Sequence, residues 1–287
     1  MAVQAVGVRV SSSAPISLGD VAKWLRRRSA KPLFGGSNPP VASKISPQTR
    51  HVFAAFLTLE KRCNMTQSSN GNISLLDGLH STPARRYLSD TEIPDEIIWK
   101  ILDAAIRGPS GGNNQGWGWI VVRNQETKDK ISEWYLEGWN RAYGTRRNEI
   151  LDRSDENDTL GPRNYLRAEH LANNISKAPV WIIAVLRNAA NTTNARTGSS
   201  IYGAVQHLML AARAYGVGAT LTTLYSGHED DVKKLLNIPD DALTMALIPL
   251  GYPSKGRWSQ PKRESVENIT HWDEWNVKKD WLPDSKI

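Results

Sequence analysis

Three short stretches carry side chains able to recognise a charged or planar ligand. The first is the run PSGGNNQGW, from Pro109 to Trp117. Gly111 and Gly112 let backbone approach a ligand more closely than a side chain would permit. Successive N–H groups in such a loop form a concavity for an anion or a ring edge. Pro109 and Ser110 open the loop, and Asn113, Asn114 and Gln115 add amides that both donate and accept. The second stretch is Arg85-Arg86, and the third is Pro261-Lys262-Arg263. Guanidinium neutralises a phosphate bidentately, and ammonium does so as a point charge. Each stretch also has an ordinary alternative: a helix-to-strand loop, or solvated surface charge.

Other chemistries are excluded by what the chain lacks. No GK[ST] follows the glycine-rich loop and no G-x-G-x-x-G is present, so neither phosphate-loop nor dinucleotide fingerprint applies. The six histidines (His51, His80, His170, His207, His228, His271) form no HExxH and no ligand spacing, and no metal site is assigned. Gly108 to Gly112 read G-P-S-G-G, but between a helix end and a strand rather than at a strand-to-helix elbow, so no nucleophilic serine is assigned. The single cysteine, Cys63, excludes a disulfide framework and a CxxC redox pair. No apolar run approaches the ~18 residues of a membrane helix.

Elements that would position these residues are legible from periodicity. Ser74 to Asp77 begins a short helix, which Pro83 stops. Pro94, Asp95 and Glu96 suit a helix start, and Ile97, Ile98, Ile101, Leu102 and Ala105 recur at helical spacing until Gly108-Pro109. Residues 119–122 read as a strand and 126–141 as a helix. Residues 144–162 are charged and aperiodic, which predicts a surface loop or lid. A helix over 163–176 precedes the apolar run 179–186, a central strand buried on both faces. Ser199 caps a predicted helix reaching Tyr215. Strands follow over 221–224 and 243–250, with a helix over 229–236 between them. This order is α+β or α/β within one domain.

Charge divides the chain. Of 36 basic and 29 acidic residues, the first 64 hold ten basic and two acidic. Residues 65–287 therefore hold 26 basic and 27 acidic, so the overall +7 is not a property of the main domain. We read 1–64 as a basic extension, disordered or the product of a start taken too early. Its run VAKWLRRRSAKPLFGGSNPPVASK looks like a tRNA gene read as protein, which puts the native start at Met65. A targeting leader and a nucleic-acid- or membrane-touching arm are the other readings.

Taken in order, the pieces resemble the FMN-dependent nitroreductase family. They are the Arg pair, IPDEIIWKILDAAIRGPSGGNNQGWGWIVV, KAPVWIIAVL, SIYGAVQHLMLAARAYGVGATLTTL, LLNIPDDALTMALIPLGYP and a basic, Trp-containing tail. The resemblance implies an α+β fold, with a mixed central sheet flanked by helices, in an intertwined homodimer with FMN at the interface. It implies hydride transfer from NAD(P)H through flavin to a nitroaromatic, quinone or similar electron-poor small molecule, with ping-pong kinetics and no catalytic side chain. Related branches dehalogenate reductively or use a deazaflavin, and a non-catalytic flavin binder is a further alternative. Neither nucleic acid nor membrane is expected as a partner, and the expected location is the cytoplasm.

Site residues follow position by position. Arg85 matches the second Arg of an R-x-S-x-R phosphate motif, with Arg86 beside it, and Lys262 or Arg263 matches a late basic pair. Pro109, Ser110, Gly111, Asn113 and Gln115 belong to the loop that approaches the flavin from the partner subunit. Thr222 and Thr223 fall near the pyrimidine edge, through backbone. Trp134, Trp139 and the 144–162 loop are expected as acceptor-side walls. The chain departs from the motif at its start: Ser81 or Thr82, and Pro83, stand where the family has its first Arg and its Ser.

Overall fold

The structure is a computed structural model and describes residues 73–153, 161–189, 192 and 194–279. The expectations for residues 1–64 lie outside the described residues. Four strands form one sheet: β1 (Trp117–Val122), β2 (Val180–Leu186), β3 (Gly218–Ala219) and β4 (Leu243–Gly251), in the order β1-β2-β4-β3. The helices are α1 (Leu75–His80), α2 (Asp95–Ala105), α3 (Gln125–Tyr143), α4 (Arg147–Leu151), α5 (Pro162–Asn174), α6 (Tyr202–Ala214), α7 (Glu229–Leu236) and α8 (Val266–Ile269). The α+β class is as expected. Every pairing in the described sheet is antiparallel, however, where a mixed sheet was expected. β2 pairs antiparallel with β1 over Trp181 to Leu186 and with β4 over Val180 to Leu186, so no parallel pairing arises within this sheet.

β2 is buried throughout, and its alternation builds two cores. Val180, Ile182, Ala184 and Leu186 face one side with α2 and α6, through Ile98, Ile101, Ala204 and Leu208. Trp181, Ile183 and Val185 face the other with α3, α5 and α7, through Ile131, Tyr135, Tyr165 and Val232. A continuous apolar run is what a strand covered on both faces requires. Helix ends follow local chemistry. Asn124 caps α3, its Oδ1 accepting from Thr127 N at 2.8 Å, and Asn237 ends α7 at φ 52°.

Three boundaries differ from the sequence expectation. The predicted 199–215 helix begins only at Tyr202, because Ile201 sits at φ −138° and 195–200 wind as a 3-10 segment. The predicted loop 144–162 contains a 3-10 turn and α4, anchored by buried Ile150 and by Arg147 on Glu169 at 2.7 Å. The strand predicted over 221–224 is reduced to one bridge, Thr222 to Leu247, after the two-residue β3. The chain then turns into a 3-10 helix, Leu224–His228, because Tyr225 is buried against the second core.

Candidate functional site

The segment from Ser81 to Ser89 lies along the β3–β4 end of the sheet. Arg85 N donates to Ala219 O at 2.9 Å, Ser89 N to Tyr252 O at 2.8 Å, and Ser254 N to Tyr87 O at 3.0 Å. Two glycines make room for it. A β-carbon on Gly218 would sit 2.8 Å from Arg85 Cβ, and one on Gly251 would sit 2.9 Å from Leu88 Cβ. Arg85 is thereby buried, at 8% exposure.

Its guanidinium meets the tail. Nη1 donates to Arg257 O at 2.9 Å, and Nη2 donates to Lys255 O at 2.6 Å and Gly256 O at 3.2 Å. It lies 4.8 Å from the ring centroid of Trp258. Arg213, in the last turn of α6, lies 4.2 Å from the same centroid. Arg213 Nη2 donates to Ser81 Oγ at 3.2 Å, and Nε to Ser81 O at 3.4 Å. Burial lowers the Arg85 pKa from its ordinary value, and the charges of Arg167 and Arg213 lower it further. Burial lowers Arg213 as well, and Asp77 partly offsets this.

Arg86 lies in different surroundings. It lines a cavity of about 240 Å³ with His170, Lys177, Ser254 and Lys255. Its pKa is lowered by burial, against an opposing effect from Tyr135. His170 stacks on Tyr87 at 4.1 Å, and burial with Lys255 and Lys177 lowers its pKa. Among the described residues, none of Arg85, Arg86 and Arg213 has a carboxylate within ion-pair distance. Concentrated, partly buried positive charge without a paired acid suits an anion.

The Pro109–Gln115 loop is built to hold a particular backbone path. Gly112, Asn113 and Gln115 have φ of 57°, 55° and 49°, an uncommon conformation for the two non-glycines. Ser110 Oγ accepts from Gln115 N at 3.0 Å, and Arg187 Nη2 donates to Gln115 O at 3.1 Å. Gly111 N donates to Ser200 Oγ at 3.3 Å. Gly108 abuts α6, since a β-carbon there would sit 2.7 Å from Ala204 N, and a β-carbon on Gly203 would sit 3.4 Å from Pro109 Cδ. The loop therefore packs at the start of α6, whereas Arg213 is in its last turn. At 1.5 Å per residue, Gly203 and Arg213 are about 15 Å apart along the helix axis. One copy of the chain does not bring the loop to the guanidinium pair.

The remaining predicted residues are placed as follows. Thr222 has both backbone groups paired with Leu247, at 3.0 and 2.9 Å, and its Oγ1 donates to Tyr135 Oη at 3.1 Å. Its backbone is thus committed to β4, while Thr223 is exposed. Lys262 and Arg263 are exposed on the tail, and the tail groups that meet Arg85 are the carbonyls of 255–257. Trp139, at 5% exposure, is a core residue packed on Tyr143 and Tyr165, which corrects its expected place on a wall. Trp134 stacks on His228 at 5.5 Å. Sequence reasoning missed Arg213 and Trp258. Arg213 sits in a run that reads as an apolar helix, and only its two-sided contact with Ser81 and Trp258 singles it out.

Comparison with known proteins agrees with this architecture. The Nitroreductase family model matches residues 80–252, and the chain belongs to that family. A "Putative NADH dehydrogenase/NAD(P)H nitroreductase" of Methanothermobacter thermautotrophicus is 28% identical over 204 residues, covering 69% of this chain and 89% of that protein. Iodotyrosine deiodinase 1 of Rattus norvegicus is 25% identical over 195 residues, covering 64% of each. Among solved structures, an oxidized iodotyrosine deiodinase bound to FMN and 3-iodo-L-tyrosine has a TM-score of 0.53 at 21% identity, covering 69% of this chain and all of that one. A nitroreductase with bound FMN from Desulfitobacterium hafniense has a TM-score of 0.52 at 20% identity, covering 69% and 97%. Among the described residues no group of side chains is suited to a metal ion, and no helix is long and apolar enough to cross a membrane.

Proposed function

We propose that the protein is an FMN-dependent oxidoreductase that passes hydride from NAD(P)H to an electron-poor aromatic acceptor, a nitroaromatic or quinone. The observation that carries this reading is the approach of Arg85 and Arg213 to one Trp258 ring with no paired carboxylate among the described residues. A phosphate monoester matches that guanidinium pair in charge. FMN, when bound, supplies the redox chemistry itself. The chain's task is then to hold phosphate at the β3–β4 end of the sheet and to present backbone and amides to the ring.

The second task falls to Pro109, Ser110, Gly111, Asn113 and Gln115 of another copy. Within one chain this loop and Arg213 sit at opposite ends of α6, so a complete site needs two chains, and we propose a homodimer. Thr223 borders the same end of the sheet, and Thr222 anchors it to β4. Arg86, Lys262 and Arg263 stay in this proposal as further cations available to the phosphate once two chains complete the site.

A second reading concerns the acceptor. The iodotyrosine deiodinase relatives favour reductive dehalogenation of a halogenated phenol on the same site. One experiment addresses both readings. The purified full-length protein should be yellow and dimeric by light scattering, bleach with NADH or NADPH under anaerobic conditions, and regain colour on adding its acceptor. Recovery with a nitroaromatic or quinone supports the first reading, and release of iodide from 3-iodotyrosine supports the second. A colourless protein whose melting temperature FMN does not raise defeats both.

A further inference from the structure

We infer that Arg213, on the last turn of α6, receives the phosphate end of the flavin in place of the arginine that the early motif lacks. This rests on the FMN reading above. The chain has Ser81 or Thr82 where the resemblance leads one to expect a first motif arginine, and a hydroxyl cannot neutralise a phosphate dianion. Two hydrogen bonds from Arg213 nonetheless reach Ser81, to Oγ at 3.2 Å and to the carbonyl at 3.4 Å. A guanidinium is thus delivered to the motif position from another element.

The other cations are less well placed to substitute. Arg86 lines the separate cavity with His170 and Lys255. Lys262 and Arg263 lie out on the exposed tail. Among the described residues Arg213 alone joins Ser81 to Trp258, the ring that Arg85 also meets, at 4.2 Å against 4.8 Å. Its Nε and Nη2 point to Ser81, and its Nη1 makes no hydrogen bond among the described residues. Asp77 acts on Arg213 through its charge but does not form an ion pair with it. The group is half-buried, oriented by a planar ring and left one amino arm for an anion, which is what a guanidinium phosphate ligand needs.

The test compares FMN with riboflavin, which has the same ring and no phosphate. Apo full-length protein is titrated with each, following quenching of flavin fluorescence. Arg213→Gln should weaken FMN binding about 10- to 100-fold, the range for a hydrogen bond to a charged group. It should leave riboflavin binding within about twofold. Adding Ser81→Arg to Arg213→Gln returns charge to the motif position and should restore FMN binding, which also guards against a variant that simply misfolds. Unchanged FMN affinity in Arg213→Gln overturns the inference and leaves the flavin reading standing. An equal loss for FMN and riboflavin, with no rescue by Ser81→Arg, overturns it as well, since Arg213 would then hold structure rather than phosphate. Wild-type protein that binds neither flavin, or both equally, removes the flavin-phosphate reading itself.

Discussion

Gly218 lies directly against Arg85: any β-carbon at position 218 would stand 2.8 Å from Arg85 Cβ and 3.0 Å from Leu88 Cδ2. The arginine can reach the tail carbonyls only because a strand residue beside it has no side chain. Gly218→Ala should displace the Arg85 segment and cost about 1–3 kcal/mol, as overpacking of a tight contact does. Urea denaturation would show this as a lower midpoint with an unchanged slope. An unshifted midpoint would mean the segment yields without cost.

Gly138 on α3 holds a second close approach. A β-carbon there would overlap Leu224 O, and that atom is backbone, so it cannot rotate aside. Gly138→Ala should therefore cost on the order of 3 kcal/mol, at the upper end for added volume. It should also break the nearby hydrogen bond from Thr222 Oγ1 to Tyr135 Oη. Thermal melting checks the first expectation, and hydrogen exchange along residues 220–228 checks the second.

Two histidines should give stability opposite pH dependences. Hydrogen bonds to Asp231 and Glu137 raise the His228 pKa above its ordinary 6.5, so the folded chain binds this proton more tightly than the unfolded one. Its contribution is full below pH 6.5 and is lost as pH rises through the raised value. The difference in Tm between wild type and His228→Gln should therefore shrink on going from about pH 5.5 to about pH 8.5. A constant difference would refute the assignment.

For His170 the sign reverses. Burial and the charges of Lys255 and Lys177 lower its pKa below 6.5, so the unfolded chain takes the proton more readily. Its contribution is present above pH 6.5 and is lost as pH falls through the lowered value. His170→Gln should make the protein less sensitive to acid over about pH 6.5 to 5, as read from Tm against pH. Equal acid sensitivity in the two proteins would count against this.

Ser110 holds the shape of the glycine-rich loop by accepting from Gln115 N across three residues with positive φ. Ser110→Ala leaves that N–H without its partner and should cost about 1 kcal/mol. Limited proteolysis should cut the variant faster within residues 111–116. An unchanged cleavage rate would show that Arg187 and Ser200 suffice to hold the loop.

Much of this fold was legible in the chain because its strongest signals are local. The β2 run reads as a doubly buried strand, and α7 begins and ends at Glu229 and Leu236 as its acidic start and apolar spacing require. The candidate site residues that the chain offers to reading are contiguous ones, Arg85 and the Pro109–Gln115 loop. Arg213 escaped notice because its surroundings, Ala211, Ala212 and Ala214, state only that a helix packs there. The contacts of the tail were hard to read for a related reason. Its charged pair drew attention, while the groups that meet Arg85 are main-chain carbonyls, which no residue type advertises. Strand 221–224 failed because Gly138, far away in sequence, gives the Leu224 carbonyl room to turn into a 3-10 helix.

The bonds from Arg85 to Lys255, Gly256 and Arg257 span 170, 171 and 172 residues of sequence. A chain emerging from the ribosome can assemble both cores once β4 has been made, yet this knot must wait for the tail. Closing so long a loop brings little until the core already holds its ends near one another. The end of the sheet where Arg85 meets the tail is therefore the last part of the domain to mature. A chain cut after Gly251 should collapse into a folded body that has never possessed it.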